Sequence, residues 1–292
     1  MASIAAQPLQ LQAAPNRFIQ AHWYPSSTAA QAVIVMAPAM AVPQKFYQPF
    51  CTWLAAQGYH VLSFDYFGIG ASTPQPLQQL HSSISEWAEL DAAAVVRYLD
   101  SEFSTYPKLW LGHSISGQLF GMIPNHQVIH HMISVNTGSG YWRAMSGSFK
   151  WKSMLLWGLV TPLAVPLVGY FPGRKLGIIG DVPAAAMQQW RRWCLHPDYL
   201  VGAENLYQSY ANVSTPITSL AVSDDEMIAP SRVNHLHDFY RQAPQQRILY
   251  HPHQFEVERL GHFAIFQQPQ QALWPRLFGE PIQAALTAHS LR

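Results

Sequence analysis

Apolar and polar positions follow two rhythms along this chain. Arg17–Tyr24 (RFIQAHWY) and Gln31–Ala37 (QAVIVMA) read as strands, and Lys45–Gln57 reads as a helix that Gly58 is placed to stop. His60–Tyr66 (HVLSFDY) is a further β-rich run. The clearest helix is Ser83–Phe103. Ser83 and Glu86 have the spacing of a capping box, and Ile84, Trp87, Leu90, Val95 and Tyr98 fall near one face. Pro107 opens a strand at Lys108–Leu111 that runs into Gly112, and His130–Val135 is another strand. After Pro216 the same pattern returns: strand Ile217–Ser223, helix Ser231–Tyr240, strand Arg247–His251, and a helical region from Gln268. Strands alternating with helices predict an α/β chain, a doubly wound and mostly parallel sheet.

Between about residues 136 and 214 the alternation stops. That segment is rich in Trp, Leu, Pro and Gly and offers helical stretches but no convincing strand. It reads as one helical cap inserted over a core built from residues 1–135 and 215–292. Within it, Met154–Phe171 carries no charge and approaches the length of a bilayer span. Pro162 and Pro166 interrupt it, and Lys150, Lys152, Arg174 and Lys175 flank both ends without asymmetry. An apolar lid or cap element is therefore expected rather than a transmembrane span, and the sequence leaves peripheral contact with lipid open.

Composition narrows the class. Apolar residues make up 49% and charged ones 11%, against roughly a quarter charged in an ordinary globular chain. Disorder is excluded over most of the length. The net charge is +1 and no Lys/Arg run is present, so no nucleic-acid partner is expected. Cys51 and Cys194 are too few for a disulfide framework. Met1–Gln20 lacks a basic stretch followed by an apolar one, which leads to the expectation of a cytoplasmic protein. Nothing in the sequence sets an oligomeric state.

The most informative stretch is Lys108-Leu-Trp-Leu-Gly-His-Ser-Ile-Ser-Gly117. A strand ends at Leu111, a sharp turn holds Ser114, and a helix starts near Gln118. Such a turn strains the serine backbone and needs small residues two before and two after it. Gly112 meets the first need; Ser116, not glycine, stands at the second, with Gly117 one step later. A serine nucleophile needs a base, and the base an orienting carboxylate. Ser223-Asp-Asp-Glu226 follows a strand, with Asp225 the leading candidate ahead of Asp224 and Glu226. His262, after Gly261, is the base. Of the 14 histidines none has zinc-helix spacing, so neither a metal nor a cofactor is expected.

At these residues the chain resembles the α/β-hydrolases, in the branch with serine aminopeptidase-like and esterase-like proteins. Four motifs carry the resemblance in order: Asp65-Tyr-Phe-Gly-Ile-Gly-Ala-Ser72, the Gly112–Gly117 turn, the Asp224/Asp225 loop, and Gly261-His262. Ala41–Tyr47, Tyr170–Gly177 and Gln189–Trp193 also resemble uncharacterised bacterial predicted hydrolases. The resemblance implies a fold of the α/β-hydrolase type and an oxyanion hole of backbone N–H groups. Ile115 supplies one. The family's usual His-Gly is replaced by Met36-Ala-Pro-Ala-Met40, so the second donor is Met40 ahead of Ala39 or Ala41.

The cap would then cover Ser114. Its aromatic residues, with Trp142, Trp151 and Trp157 foremost, are expected to line an apolar cleft. Acids there are few (Asp181, Asp198, Glu204), whereas an aminopeptidase must hold a charged amine. The expected activity is a serine hydrolase acting on a small, fairly hydrophobic ester or thioester. An aminopeptidase or acyltransferase with the same triad, and a non-catalytic ligand-binding protein on the same scaffold, are the alternatives.

Overall fold

The computed structural model describes residues 5–145 and 147–290. Its strands are β1 (Gln7–Ala14), β2 (Arg17–Tyr24), β3 (Ala32–Ala37), β4 (Tyr59–Phe64), β5 (Lys108–His113), β6 (His131–Val135), β7 (Tyr170–Phe171), β8 (Val182–Pro183), β9 (Ile217–Val222) and β10 (Gln245–Tyr250). All but β7 and β8 join one sheet of eight strands, in the order β1-β2-β4-β3-β5-β6-β9-β10. β2 pairs antiparallel with both β1 and β4, and from β4 to β10 every pairing is parallel. The fold is the expected doubly wound, mostly parallel sheet.

Burial explains the strand sequences. Every residue of β3, β5, β6 and β9 is buried, because helices cover both faces of the centre of a parallel sheet. The edge strand β10 instead has only half-buried and exposed positions. On one face lie α2 (Ile84–Glu86) and α3 (Ala93–Glu102), joined by a π turn at Trp87–Ala92, where Trp87 and Val95 pack with Trp110 and Leu119. On the other face α1 (Gln48–Ala56) packs Phe50 and Leu54 with Trp274 and Phe278. The capping box forms: Glu86 N–H donates to Ser83 Oγ at 3.2 Å, and Ser83 N–H to Glu86 Oε2 at 2.7 Å.

Three strands differ from the sequence expectation. β1 extends the sheet by one edge strand, and β7 pairs with β8 as a short antiparallel ribbon inside the segment expected to lack strands. Among the described residues, the rest of the segment 136–214 is mostly helical and adds no strand to the large sheet. It holds α5 (Gly147–Leu155), α6 (Thr161–Val168), α7 (Gly173–Leu176), α8 (Ala184–Leu195), α9 (Tyr199–Ala203) and α10 (Tyr207–Ala211). β9 then leads to α11 (Pro230–His237), and the described chain ends in α12 (Glu280–Ser290).

One buried ion pair ties β2 to the 84–102 helix. Arg17 donates to both oxygens of Asp91, at 2.6 and 3.0 Å, and Phe67 N–H donates to Asp91 at 2.9 Å. Burial still raises the Asp91 carboxyl above its ordinary range, against the pull of Arg17. Arg17→Met would leave that carboxylate buried without a cation, at a cost of about 3–5 kcal/mol. A urea titration is expected to show that loss, and Arg17→Met/Asp91→Leu is expected to recover most of it. Equal midpoints for wild type and Arg17→Met would contradict this account of the pair.

Candidate active site

The parallel strands bring their carboxyl ends to one edge, and the candidate residues gather there. Ser114 directly follows β5 and opens α4 (Ile115–Gln118), with φ 52° and ψ −112°. Few side chains adopt that backbone, so the surroundings must hold it. Ser114 N–H donates to Val135 O at 2.9 Å, and Thr137 Oγ1 donates to Ser114 O at 3.1 Å. A methyl group on Gly112 would come within 2.7 Å of Gly117 N, and one on Gly117 would overlap Thr137 Oγ1. The glycine that the turn requires on its far side is therefore Gly117.

That leaves position 116 free to carry a side chain, and the serine there is fully tied in. Ser116 Oγ donates to Pro38 O and lies 2.8 Å from Tyr66 Oη. Trp110, within β5, donates its indole N–H to Ser116 O at 3.0 Å. The departure from the usual glycine thus links the serine turn to the loop after β3.

The three acids after β9 do three different jobs. Asp225 Oδ2 lies 2.7 Å from His262 Nδ1, while its Oδ1 accepts from the N–H groups of Met227 and Ile228 at 2.7 and 2.8 Å. Asp224 Oδ2 accepts from Leu260 N–H at 2.8 Å and Gly261 N–H at 3.2 Å. Glu226 accepts the backbone N–H of His262 at 2.9 Å and pairs with Arg259 at 2.9 Å. Burial would raise the Glu226 carboxyl, but the hydrogen bond from His262 N–H and the Arg259 cation lower it on balance. Of the three candidates, Asp225 is the one at the imidazole. His262 is buried, and its Nε2 has no hydrogen-bond partner among the described residues.

A second histidine, not singled out from the sequence, braces this arrangement. Ala39 N–H donates to Tyr47 Oη at 3.0 Å, Tyr47 Oη lies 2.7 Å from His113 Nδ1, and His113 Nε2 lies 3.0 Å from His262 O. With the Tyr47 hydroxyl donating to Nδ1, the His113 proton sits on Nε2 and is donated to His262 O. Burial, then the nearby His262 ring, keeps His113 neutral, its pKa well below the ordinary value. Asn136 Nδ2 donates to the same carbonyl at 3.2 Å. The signal for His113 in the sequence was its place beside Ser114, but Tyr47 is 66 residues away.

The Ala39 N–H is thus already used, which removes Ala39 from the candidates for second oxyanion donor. Among the described residues, no acceptor is present for the N–H of Met40, Ala41 or Ile115. Asp65 fixes the loop that carries Met40 and Ala41, accepting from Gln44 N–H at 2.6 Å and Ala71 N–H at 2.9 Å.

Ser114 borders a cavity of about 420 Å³ whose wall comes mostly from residues 140–199. Trp157, Leu156, Val160 and Ile179 supply apolar wall, and Met227 and Ile228 close the side next to Asp225. Trp142 and Trp151 do not line it. Trp151 lies six positions from Trp157, on the other side of the helix, and is 64% exposed. Trp142 sits in a half-buried turn beside Arg143, whose guanidinium lies 5.3 Å from the ring. The cavity also has a polar rail absent from the sequence reading. Trp190 Nε1 donates to Tyr199 Oη at 2.8 Å, Tyr199 Oη to Gln118 Oε1 at 3.1 Å, and Gln118 Nε2 to Gly138 O at 2.8 Å. Cys194 lies in the wall too, its thiol pushed up by burial and so held neutral. Among the described residues, no group of three or more His, Cys, Asp or Glu is arranged to hold a metal ion.

Comparison with known proteins agrees with this fold. The sequence profile of the Alpha/beta hydrolase family matches residues 34–275. No curated protein matches the chain in sequence. Among solved structures, alpha/beta hydrolase domain-containing protein 10 from mouse is similar, at 15% identity and a TM-score of 0.56, covering 96% of this chain and 99% of that one. An esterase of Pyrococcus furiosus is similar at 12% identity and a TM-score of 0.60, covering 98% and 91%. The thioesterase domain from the curacin biosynthetic pathway gives 16% identity and a TM-score of 0.53, covering 98% of both chains.

Proposed function

This chain belongs to the alpha/beta hydrolase family, and from that premise we propose that it is a serine hydrolase acting on a small, fairly hydrophobic carboxylic ester or thioester. The observations that carry the reading are the Asp225–His262 pair at 2.7 Å and a strained Ser114 that borders an apolar cavity. His262 Nε2 takes the proton of Ser114 as its oxygen attacks the acyl carbonyl carbon. Asp225 holds the Nδ1 proton and stabilises the imidazolium that forms. The N–H groups of Ile115 and Met40 receive the oxyanion, and the alcohol or thiol leaves with the proton from His262. Water, deprotonated by His262, then releases the acyl group from Ser114.

The cavity favours an uncharged acyl chain. Its wall contains no Asp or Glu, and Lys152 is its one charged residue among those described. A free α-amine would enter without a carboxylate to receive it. The Pyrococcus furiosus esterase and the curacin thioesterase domain share the fold, so both leaving-group classes are chemically consistent with it.

Each methylene buried in the cavity contributes up to about 0.8 kcal/mol, or roughly fourfold in kcat/KM. A series of p-nitrophenyl esters is therefore expected to show kcat/KM rising with acyl length until the cavity is filled. The decisive comparison is with amino-acid arylamides bearing a free amine. If those outran every ester, the ester reading would fail and an aminopeptidase would take its place.

A further inference from the structure

We infer that the outer face of the 147–168 helix docks this protein onto an anionic lipid bilayer. Residues 149–168 are long and apolar enough to cross a membrane by length and composition. The structure instead fixes one side of this helix to the body. Ser153, Trp157, Thr161 and Val165 are buried at intervals of four. Arg191 Nε donates to Trp157 O at 2.6 Å, and the Trp157 and Trp190 rings meet edge to face at 5.0 Å. The opposite side is bare: Trp151, Leu155, Leu159, Leu163 and Leu167, also four apart, are exposed, Leu167 by 82%. Four residues turn an α-helix by slightly more than one revolution, and the π turn at Leu156–Val160 offsets that drift. Both stripes therefore stay straight.

Charge identifies the occupant. The sequence contains no Asp or Glu between Glu102 and Asp181. Within that span Lys152, Arg174 and Lys175 are exposed and Lys150 half-buried, beside the apolar face. Asp181 lies 3.9 Å from Arg174. An apolar stripe with a basic border matches a surface of acyl chains beneath anionic headgroups, on which such a helix lies flat. A second copy placed face to face would set these cations against their own kind.

The position of the cavity agrees with this orientation. Leu155 and Ile178 are both exposed and both line the cavity that reaches Ser114, so its mouth opens through the same face. Docking would set the mouth against the lipid. The docking itself does not depend on the chemistry proposed for Ser114.

Vesicle flotation tests it, using phosphatidylcholine vesicles with and without phosphatidylserine. Wild type and Ser114→Ala are both expected to float with the anionic vesicles. Binding should weaken with added salt, by about fivefold for each Lys or Arg that the salt screens from the headgroups. Leu163→Glu/Leu167→Glu changes two exposed positions outside the cavity. It is expected to bind at least about tenfold more weakly while hydrolysing a soluble short-chain ester at the wild-type rate. Absence of flotation for wild type, or equal flotation of the double variant, would overturn the inference. So would a dimer in sedimentation that the double variant abolishes, accompanied by no vesicle binding, since a second copy would then cover the face. Because Ser114→Ala is part of the test, loss of the hydrolase reading would leave the flotation result standing.

Discussion

Ser114→Ala is expected to lower kcat/KM on any accepted ester by roughly 10⁴-fold or more while leaving the fold intact. The whole loss should fall on chemistry, because the Ser114 hydroxyl makes no hydrogen bond with any other described residue. Its backbone is bonded through Ser114 N–H to Val135 and through Ser114 O to Thr137, and alanine keeps both bonds. Alanine also keeps the strain of φ 52° and ψ −112°. Ser114→Gly, equally inactive, relieves that strain and is expected to be about 1 kcal/mol more stable than Ser114→Ala. Ester assays and thermal melts of the two variants check both halves. Near wild-type turnover in Ser114→Ala would remove Ser114 from the mechanism.

Asp225→Asn is expected to cost roughly 10⁴-fold in kcat, and Asp224→Asn less than about tenfold. The difference lies in what each oxygen already does. Asp225 Oδ1 is committed to two backbone N–H groups, so an asparagine there keeps its carbonyl oxygen on Met227 and Ile228. Its NH₂ then faces His262 Nδ1 and forces the imidazole proton onto Nε2, where it cannot accept the serine proton. At Asp224 the single engaged oxygen accepts from Leu260 and Gly261, and an asparagine carbonyl can do the same. Both variants should retain the loop. If Asp224→Asn were the more damaging of the two, the assignment of the orienting carboxylate would be wrong by one residue.

What the sequence made legible was local or ordered along the chain. The Ser114 turn and the acidic loop each sit directly after a strand, and Gly261-His262 lies in the longer loop after β10, so chain order brought all three to one edge of a parallel sheet. The capping box at Ser83 and Glu86 spans one helical turn and was equally readable. What escaped was set by distant pairing. The brace of Tyr47, His113 and the His262 carbonyl joins three segments that periodicity cannot connect. Arg17 and Asp91 meet across 74 residues. The Gln-rich β1 buries Leu11 and Ala13 in simple alternation, a pattern too short and polar to stand out before its partner β2 is known. The segment of residues 136–214 was legible as apolar but not in orientation. Trp151 and Trp157 are alike as residues, and only the docking of one helix face on α8 turns the first outward and the second into the cavity.

Covalent labelling tests the central claim most directly. A fluorophosphonate reacts with a serine only when a base activates it beside an oxyanion hole, whatever the natural substrate. Peptide mass analysis of the labelled wild-type protein is expected to place one adduct on Ser114, with labelling abolished in Ser114→Ala and strongly slowed in Asp225→Asn. An unlabelled wild-type protein, or an adduct on Ser116, would contradict the account.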